Sequence, residues 1–158
     1  MIWLPPDVVE QLEHEADRAG DVETGGVLLG FEDGDQVQVL AQVGPGPGAI
    51  HERRRFVPDG TWQQQRIAWS YEQSGRIATY LGDWHSHPGG PPQPSLLDQL
   101  TMARIARHRA ARVRHPLMII LAGGRGSWSL VGWRYGRWWL HPLAHRVAAA
   151  GAATPACA

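Results

Sequence analysis

Lysine is absent from the 158 residues, and cysteine occurs only once, as Cys157. A single thiol excludes a disulfide framework and also a metal cage built from thiolates. Arginine supplies all 15 of the Lys and Arg positions, and these balance 15 aspartates and glutamates. A net charge of zero gives no electrostatic reason to expect nucleic acid or a charged membrane surface as the main partner.

Long apolar runs are also missing. No stretch approaches the roughly 20 residues that a membrane-spanning helix needs. The segment Met1–Asp7 lacks the basic and apolar regions of a signal peptide. Apolar residues make up 43% of the chain and charged residues 19%, which is typical of a folded domain rather than a disordered chain. We therefore expect a cytoplasmic protein that folds without disulfide bonds or other cross-links.

The pattern of apolar residues predicts helices and strands that follow one another along the chain. This order is typical of an α/β fold in which a mixed β-sheet is sandwiched by helices. We expect one domain over residues 1–145 and a flexible C-terminal tail over residues 146–158. The predicted elements are a helix that begins at Pro5 and ends at Gly20, strands at 27–31, 36–43 and briefly 56–57, a helix over about 60–74, a strand at 77–87, a helix from 95 to about 111, and strands at 117–121, 127–134 and 137–140.

The stretch from Asp83 to Asp98 carries the clearest chemical pattern. His85 and His87 are two residues apart in a predicted strand, so both imidazoles point to the same face. Pro88 ends that strand, and the next helix begins at Ser95 and places Asp98 in its first turn. If that turn packs near the strand end, two neutral imidazoles and one carboxylate with an open fourth position form a catalytic zinc site.

Each of these residues also has a simpler interpretation. A pair of histidines in a strand is often an ordinary surface or core pair, and Ser95 with Asp98 is also the pattern of a capping box. We expect capping and metal binding to be compatible only in part, because a carboxylate on zinc has less freedom to cap. Glu23, just before Gly25 and Gly26, is by itself a solvated turn residue, but a hydrolytic zinc site needs such a carboxylate as a proton acceptor.

Taken together, these motifs resemble those of the JAB/MPN-type (JAMM) metalloproteases. The match consists of His85-x-His87, seven residues at 88–94, then Ser95, two further residues and Asp98. Upstream, Glu-Thr-Gly-Gly-Val-Leu-Leu-Gly from Glu23 looks like the segment that holds the glutamate of that family. The resemblance covers roughly residues 8–140.

The resemblance implies a fold, an activity and a role for each matched residue. The fold is similar to that of cytidine deaminases, and active members hydrolyse peptide or isopeptide bonds after the C-terminal glycine of ubiquitin or a ubiquitin-like protein. His85, His87 and Asp98 are then expected to bind Zn²⁺. Glu23 is expected to act as general base and later as general acid, and Ser95 to donate a hydrogen bond to the developing oxyanion.

Several alternatives stay open. The short chain is similar to compact bacterial members of the family, which process either ubiquitin-like modifiers or sulfur-carrier proteins. A non-catalytic scaffold that binds a modifier, and an iron oxygenase with two histidines and one carboxylate, are further possibilities. Trp84 either forms a wall of the site or is an ordinary core residue. The sequence leaves open which modifier is cut, the type of bond and the oligomeric state.

Overall fold

One eight-stranded mixed sheet organises the chain. The computed structural model describes residues 1–53 and 55–148. The strand order in the sheet is β10-β1-β3-β2-β6-β7-β8-β9, and β4 and β5 form a separate two-stranded hairpin. The elements in chain order are β1 (Ile2–Leu4), α1 (Pro6–Ala19), β2 (Gly25–Asp33), β3 (Gln36–Val43), β4 (Ile50–Glu52), β5 (Arg55–Val57), α2 (Gly60–Gln73), β6 (Thr79–Pro88), α3 (Leu96–Arg107), β7 (Leu117–Gly124), β8 (Ser127–Gly136), β9 (Trp139–Pro142) and β10 (His145–Val147).

Capping side chains and prolines fix where the helices begin. A proline lies in the first turn of α1, where its missing N–H leaves no hydrogen bond unmade, and Gly20 (φ 70°) follows the last residue of this helix. The Asp59 carboxylate accepts a hydrogen bond from the Trp62 amide at the start of α2 (3.1 Å). Ser95 caps α3 in the same way. These local signals explain why sequence patterns predict the helix starts well.

Helices cover both faces of the sheet. Residues Val8, Leu12 and Ala16 of α1 pack in one buried cluster with Ile119 and Leu121 of β7. The alternate residues of β7 face the other way, where Met118 and Ile120 pack with Met102 of α3. On that second face, Trp62 and Ile67 of α2 pack against Val27 and Leu29 of β2. The predicted α/β architecture with a mixed sheet between helices is therefore confirmed, and residues 117–121 form a buried interior strand.

The boundaries differ from prediction where elements are short. Helix α3 ends at Arg107, and residues Arg109–Ala111 form a separate 3-10 turn. Strands β1, β4 and β10 were not predicted, since three residues are too few to show an alternating pattern. Residues 146 and 147 pair with β1, so the predicted boundary at 145 falls inside a strand. The rest of the tail predicted over residues 146–158, residues 149–158, lies outside the described residues.

Among the described helices, none is long and apolar enough to cross a membrane.

Asp17 joins the end of α1 to the β7–β8 turn. Its carboxylate accepts hydrogen bonds from the Trp128 indole (2.7 Å) and the Gly126 amide (3.0 Å). The bond from Trp128, followed by that from Gly126, holds the pKa of Asp17 below its usual value. Asp17 therefore links two segments that are more than 100 residues apart in the sequence, and its ionised form stabilises the fold.

We predict that Asp17→Ala lowers the melting temperature at neutral pH, while Asp21→Ala, which removes an exposed acid nearby, has little effect. Because the folded pKa of Asp17 lies below the unfolded value, its contribution is complete above about pH 4 and is lost as the pH falls through the folded pKa. Melting curves followed by circular dichroism between pH 2 and pH 7, about the range in which carboxylates titrate, should show the gap between wild type and Asp17→Ala closing at low pH. A gap that stays constant would contradict the assignment.

Candidate metal centre

Strand β6 carries the two histidines to one point at the edge of a cleft. It lies between β2 and β7, and it ends at Pro88. His85 and His87 project from the same face, and their Nε2 atoms are 2.9 Å apart. The predicted convergence of the two imidazoles is therefore present.

Asp98 approaches the same point from the first turn of α3. Its Oδ1 lies 3.6 Å from His85 Nε2. One ligand atom from each of His85, His87 and Asp98 lies within 4.8 Å of the others. An ion at about 2.0–2.2 Å from each donor fits such a triangle, and two imidazole nitrogens with one carboxylate oxygen are donors that a transition metal accepts. The three side chains therefore fit a metal ion.

The surroundings of His85 favour the neutral form that binds metals, and a hydrogen bond orients the ring of His87. Burial holds the pKa of His85 below its usual range, although the neighbouring Asp98 carboxylate opposes this effect. His87 Nδ1 donates to the Pro91 carbonyl (2.8 Å), because a carbonyl oxygen only accepts. The Nε2 atom of neutral His87 is then unprotonated and points at the other ligands.

The two carboxylate oxygens of Asp98 face different partners. Oδ2 accepts a hydrogen bond from the Ser95 amide (2.6 Å), and the Asp98 amide donates to Ser95 Oγ (3.2 Å). Oδ1 is the oxygen that faces His85. The expected conflict between capping and metal binding does not arise, because the capping box itself turns the second oxygen toward the histidines.

Glu23 lies in the same cleft, just before β2. The cleft has a volume of about 1070 Å³, and its lining includes Glu23, His85, His87, Ser95 and Asp98. Gly25, two residues after Glu23, pairs directly with His85 in the antiparallel β2–β6 ladder. A Cβ at Gly25 would lie 2.4 Å from the Trp84 carbonyl oxygen, so only glycine allows this close pairing. All five residues singled out in the sequence are thus brought together.

Ser86 is a buried residue of the site that the sequence did not reveal. It lies between the two histidines, and its Oγ accepts a hydrogen bond from the Thr24 amide (3.1 Å). The Ser86 amide in turn donates to the Thr24 carbonyl (2.8 Å). Both residues are fully buried. This pair of bonds fixes the residue next to Glu23 against the strand that carries the histidines.

The β4–β5 hairpin holds Glu23 from the other side. The Glu23 amide donates to the Glu52 carbonyl (2.9 Å), and His51 Nδ1 donates to the Glu23 carbonyl (3.0 Å). His51 matched no motif in the sequence, since its partner is 28 residues away.

Asp83 and Trp84 complete the surroundings of the histidines. Burial raises the pKa of Asp83 to about 6, although its hydrogen bond from the Tyr80 hydroxyl (2.6 Å) opposes this effect. Trp84 is 1% exposed and packs in the cluster that contains Leu12 of α1, on the face opposite His85. Trp84 also borders the cleft, but its side chain is a core residue.

Comparison with known proteins gives consistent matches. Residues 5–134 match the family model described as prokaryotic homologs of the JAB domain. A protein named "Probable metalloprotease y4qB" from Sinorhizobium fredii is 39% identical over 135 residues, which are 84% of this chain and 82% of that protein. A "CD-NTase/cGAS isopeptidase" from Enterobacter hormaechei subsp. hoffmannii is 31% identical over 131 residues, which are 82% of this chain and 72% of that protein.

A solved structure shows the same fold. The solution structure of protein DSY2949 from Desulfitobacterium hafniense matches with a TM-score of 0.71 and covers 94% of this chain and 93% of that chain. The two sequences are 21% identical, so this likeness concerns the fold alone.

We predict that Ser86→Ala lowers the free energy of unfolding by about 1–3 kcal/mol, because it leaves the buried Thr24 amide without its acceptor. Urea unfolding of the metal-free protein measures this loss without any contribution from bound metal. Ser129→Ala, at an exposed position of β8, is the matched control and should change stability little. Equal stabilities of Ser86→Ala and wild type would show that this hydrogen bond does not hold the segment.

Proposed function

Since the chain belongs to the family of prokaryotic homologs of the JAB domain, a family of metallopeptidases, we propose that it is a zinc-dependent hydrolase that cleaves after the C-terminal glycine of a ubiquitin-like protein. The bond cut is the peptide or isopeptide bond that joins this glycine to an extension or to a conjugated protein. The observation that carries the proposal is the convergence of Glu23 with His85, His87 and Asp98 in one cleft.

The ligand set favours zinc. Three protein ligands of the types His, His and Asp leave one of the four usual positions open, as in catalytic rather than structural zinc sites. Bound Zn²⁺ supplies a Lewis acid that polarises a carbonyl and lowers the pKa of water to about 7. The hydrogen bond from His87 Nδ1 to the Pro91 carbonyl orients the ring so that Nε2 faces His85, as expected for a metal-binding histidine.

Glu23 and Ser95 are the residues that handle protons and charge. We assign Glu23 to remove a proton from the attacking water and to deliver it to the leaving amine. Ser95 Oγ accepts the Asp98 amide, so its own hydroxyl hydrogen is available to donate to the oxyanion of the tetrahedral intermediate. Asp83 also lines the cleft, and because burial raises its pKa to about 6, Asp83 becomes neutral only as the pH falls below that value.

The walls of the cleft suit an extended tail. Its lining includes Phe56 and Val57 of β5 and residues 89–91 of the loop that follows β6. Pairing with an exposed strand edge would hold a substrate backbone with little regard to its sequence, and a Gly-Gly end fits where side chains do not. These features support a glycine that supplies the carbonyl group of the bond that is cut.

An apolar surface beside the cleft supports a protein substrate. Leu96, Leu97 and Leu100 of α3 are 69%, 63% and 60% exposed, and Leu97 also lines the cleft. Exposed large apolar side chains next to a catalytic cleft are typical of contact with another protein. We therefore propose a ubiquitin-like protein or its conjugate, including a sulfur-carrier protein, as the partner.

We also propose the cytoplasm as the location of the protein.

The direct test uses two internally quenched peptides, each in two forms. In the Gly-Gly probe, the carboxyl group of a Gly-Gly sequence is joined to a lysine, through the side-chain amine in one form and through the α-amine in the other. The Ala-Ala probe is identical except for those two residues. We predict that zinc-loaded wild type cuts the Gly-Gly probe at least about 10-fold faster than the Ala-Ala probe, because two added methyl groups would keep the substrate backbone from pairing closely with the protein. Chelation should abolish the activity, and Zn²⁺ should restore it.

Glu23→Gln separates catalysis from binding. This variant should keep one zinc per chain by elemental analysis, yet lose about 100-fold or more in kcat as expected for a lost general base. Cleavage by Glu23→Gln at the wild-type rate, or wild-type protein that cuts neither probe when loaded with zinc, would contradict the proposed function. A zinc-loaded but inactive wild type would favour the scaffold alternative.

Ser95→Ala tests the oxyanion donor. We predict a fall in kcat of about 100- to 1,000-fold with little change in KM, because the donor acts on charge that develops only in the transition state. The variant also loses a helix cap, which costs about 0.5–2 kcal/mol of stability. Asp59→Ala removes the corresponding cap of α2 and is the matched control. If both variants lose the same activity, Ser95 acts through stability alone.

A further inference from the structure

His51 is the histidine outside the metal centre whose contact bears most directly on the reaction. Its Nδ1 donates a hydrogen bond to the main-chain carbonyl of Glu23 (3.0 Å). The main-chain carbonyl of the next residue, Glu52, accepts a hydrogen bond from the Glu23 amide (2.9 Å). The amide and the carbonyl of Glu23 are thus both bound by consecutive residues of β4. Glu23 lies before the first residue of β2, so the β2–β6 ladder does not reach it.

We propose that His51 is a positioning residue that holds Glu23 in place as the general base, an inference that rests on the proposed function. Glu23 lines the cleft, and its neighbour Thr24 is bonded to Ser86 of β6. Small displacements of a catalytic group are costly, since a shift of about 1 Å can reduce a rate 100-fold. The hydrogen bond from His51 opposes such a shift on the hairpin side, as the Thr24–Ser86 bonds do on the sheet side.

The imidazole of His51 is itself held by the hairpin. His51 pairs with Phe56 in the β4–β5 ladder, and the two ring centroids are 5.5 Å apart. Phe56 lines the cleft. The contacts therefore run from a cleft wall, through the His51 ring, to the backbone of the general base. The Glu23 carbonyl can only accept, so this arrangement requires a proton on His51 Nδ1.

The test compares two replacements of His51 on the zinc-loaded protein with the Gly-Gly probe. His51→Phe keeps a ring against Phe56 but has no donor, whereas His51→Asn keeps an N–H donor close to the position of Nδ1. We expect kcat to fall about 10-fold or more in His51→Phe, with KM and zinc content nearly unchanged, and to recover most of the loss in His51→Asn. His14→Phe, the same change at an exposed site of α1, should have no effect.

A double variant shows whether His51 acts through Glu23. If it does, adding His51→Phe to Glu23→Gln should leave the already reduced kcat unchanged, because the group being positioned is no longer a base. Multiplicative losses in the double variant, or equal activity of wild type and His51→Phe, would overturn the proposal. Failure of His51→Asn to exceed His51→Phe would overturn it as well.

A measurement without substrate separates this inference from the proposed function. Two-bond proton–nitrogen NMR spectra of the zinc-loaded wild type should show His51 protonated at Nδ1, whereas a neutral ring protonated at Nε2 would disprove the contact. If the NMR result holds and wild type cuts neither probe, the proposed function fails and the His51 contact stands. If wild type is active and the ring is protonated at Nε2 alone, only the inference about His51 fails.

Discussion

The register between β2 and β6 is the constraint on which the site depends. Gly25 is paired with His85, and the Thr24–Ser86 hydrogen bonds extend this pairing beyond the end of β2. A shift of one residue would turn both histidines to the opposite face of the sheet, away from α3. The same register places Glu23 beside the strand that bears the imidazoles. Two segments distant in sequence thus become one site through backbone pairing, with the missing Cβ of Gly25 allowing the close approach.

The second constraint is the path of the chain from β6 to α3. The loop is held at its start by the Gly89 amide, which donates to the Gly123 carbonyl (2.7 Å). The Trp133 indole donates to the Pro92 carbonyl (3.2 Å), and His87 binds the carbonyl of Pro91. These bonds deliver the start of α3 to the histidines, and there the capping box orients Asp98. One carboxylate oxygen of Asp98 therefore caps the start of α3, and the other faces His85.

The parts of the fold that could be predicted are those with local causes. His85 and His87 share a face because strands alternate, and Asp98 follows its cap at a fixed distance, so the spacing predicted that these three side chains could meet. Glu23 needed the resemblance to a family, since nothing local links it to residues 62 positions away along the chain. Ser86 and His51 could not be predicted for the same reason, because each makes a long-range hydrogen bond to main-chain atoms. The three-residue strands β1 and β10 form because they pair with neighbouring strands, β1 with β3 and β10 with β1.

The central claim is that His85, His87 and Asp98 together bind one zinc ion that Glu23 faces across the cleft. The most direct measurement is an anomalous difference map at the zinc absorption edge from crystals of the zinc-loaded protein. The account predicts one peak per chain, about 2.0–2.2 Å from an Nε2 of each histidine and from Asp98 Oδ1, with an open position toward Glu23. A peak held by other residues, a fourth protein ligand in the open position, or no peak at this site would contradict it.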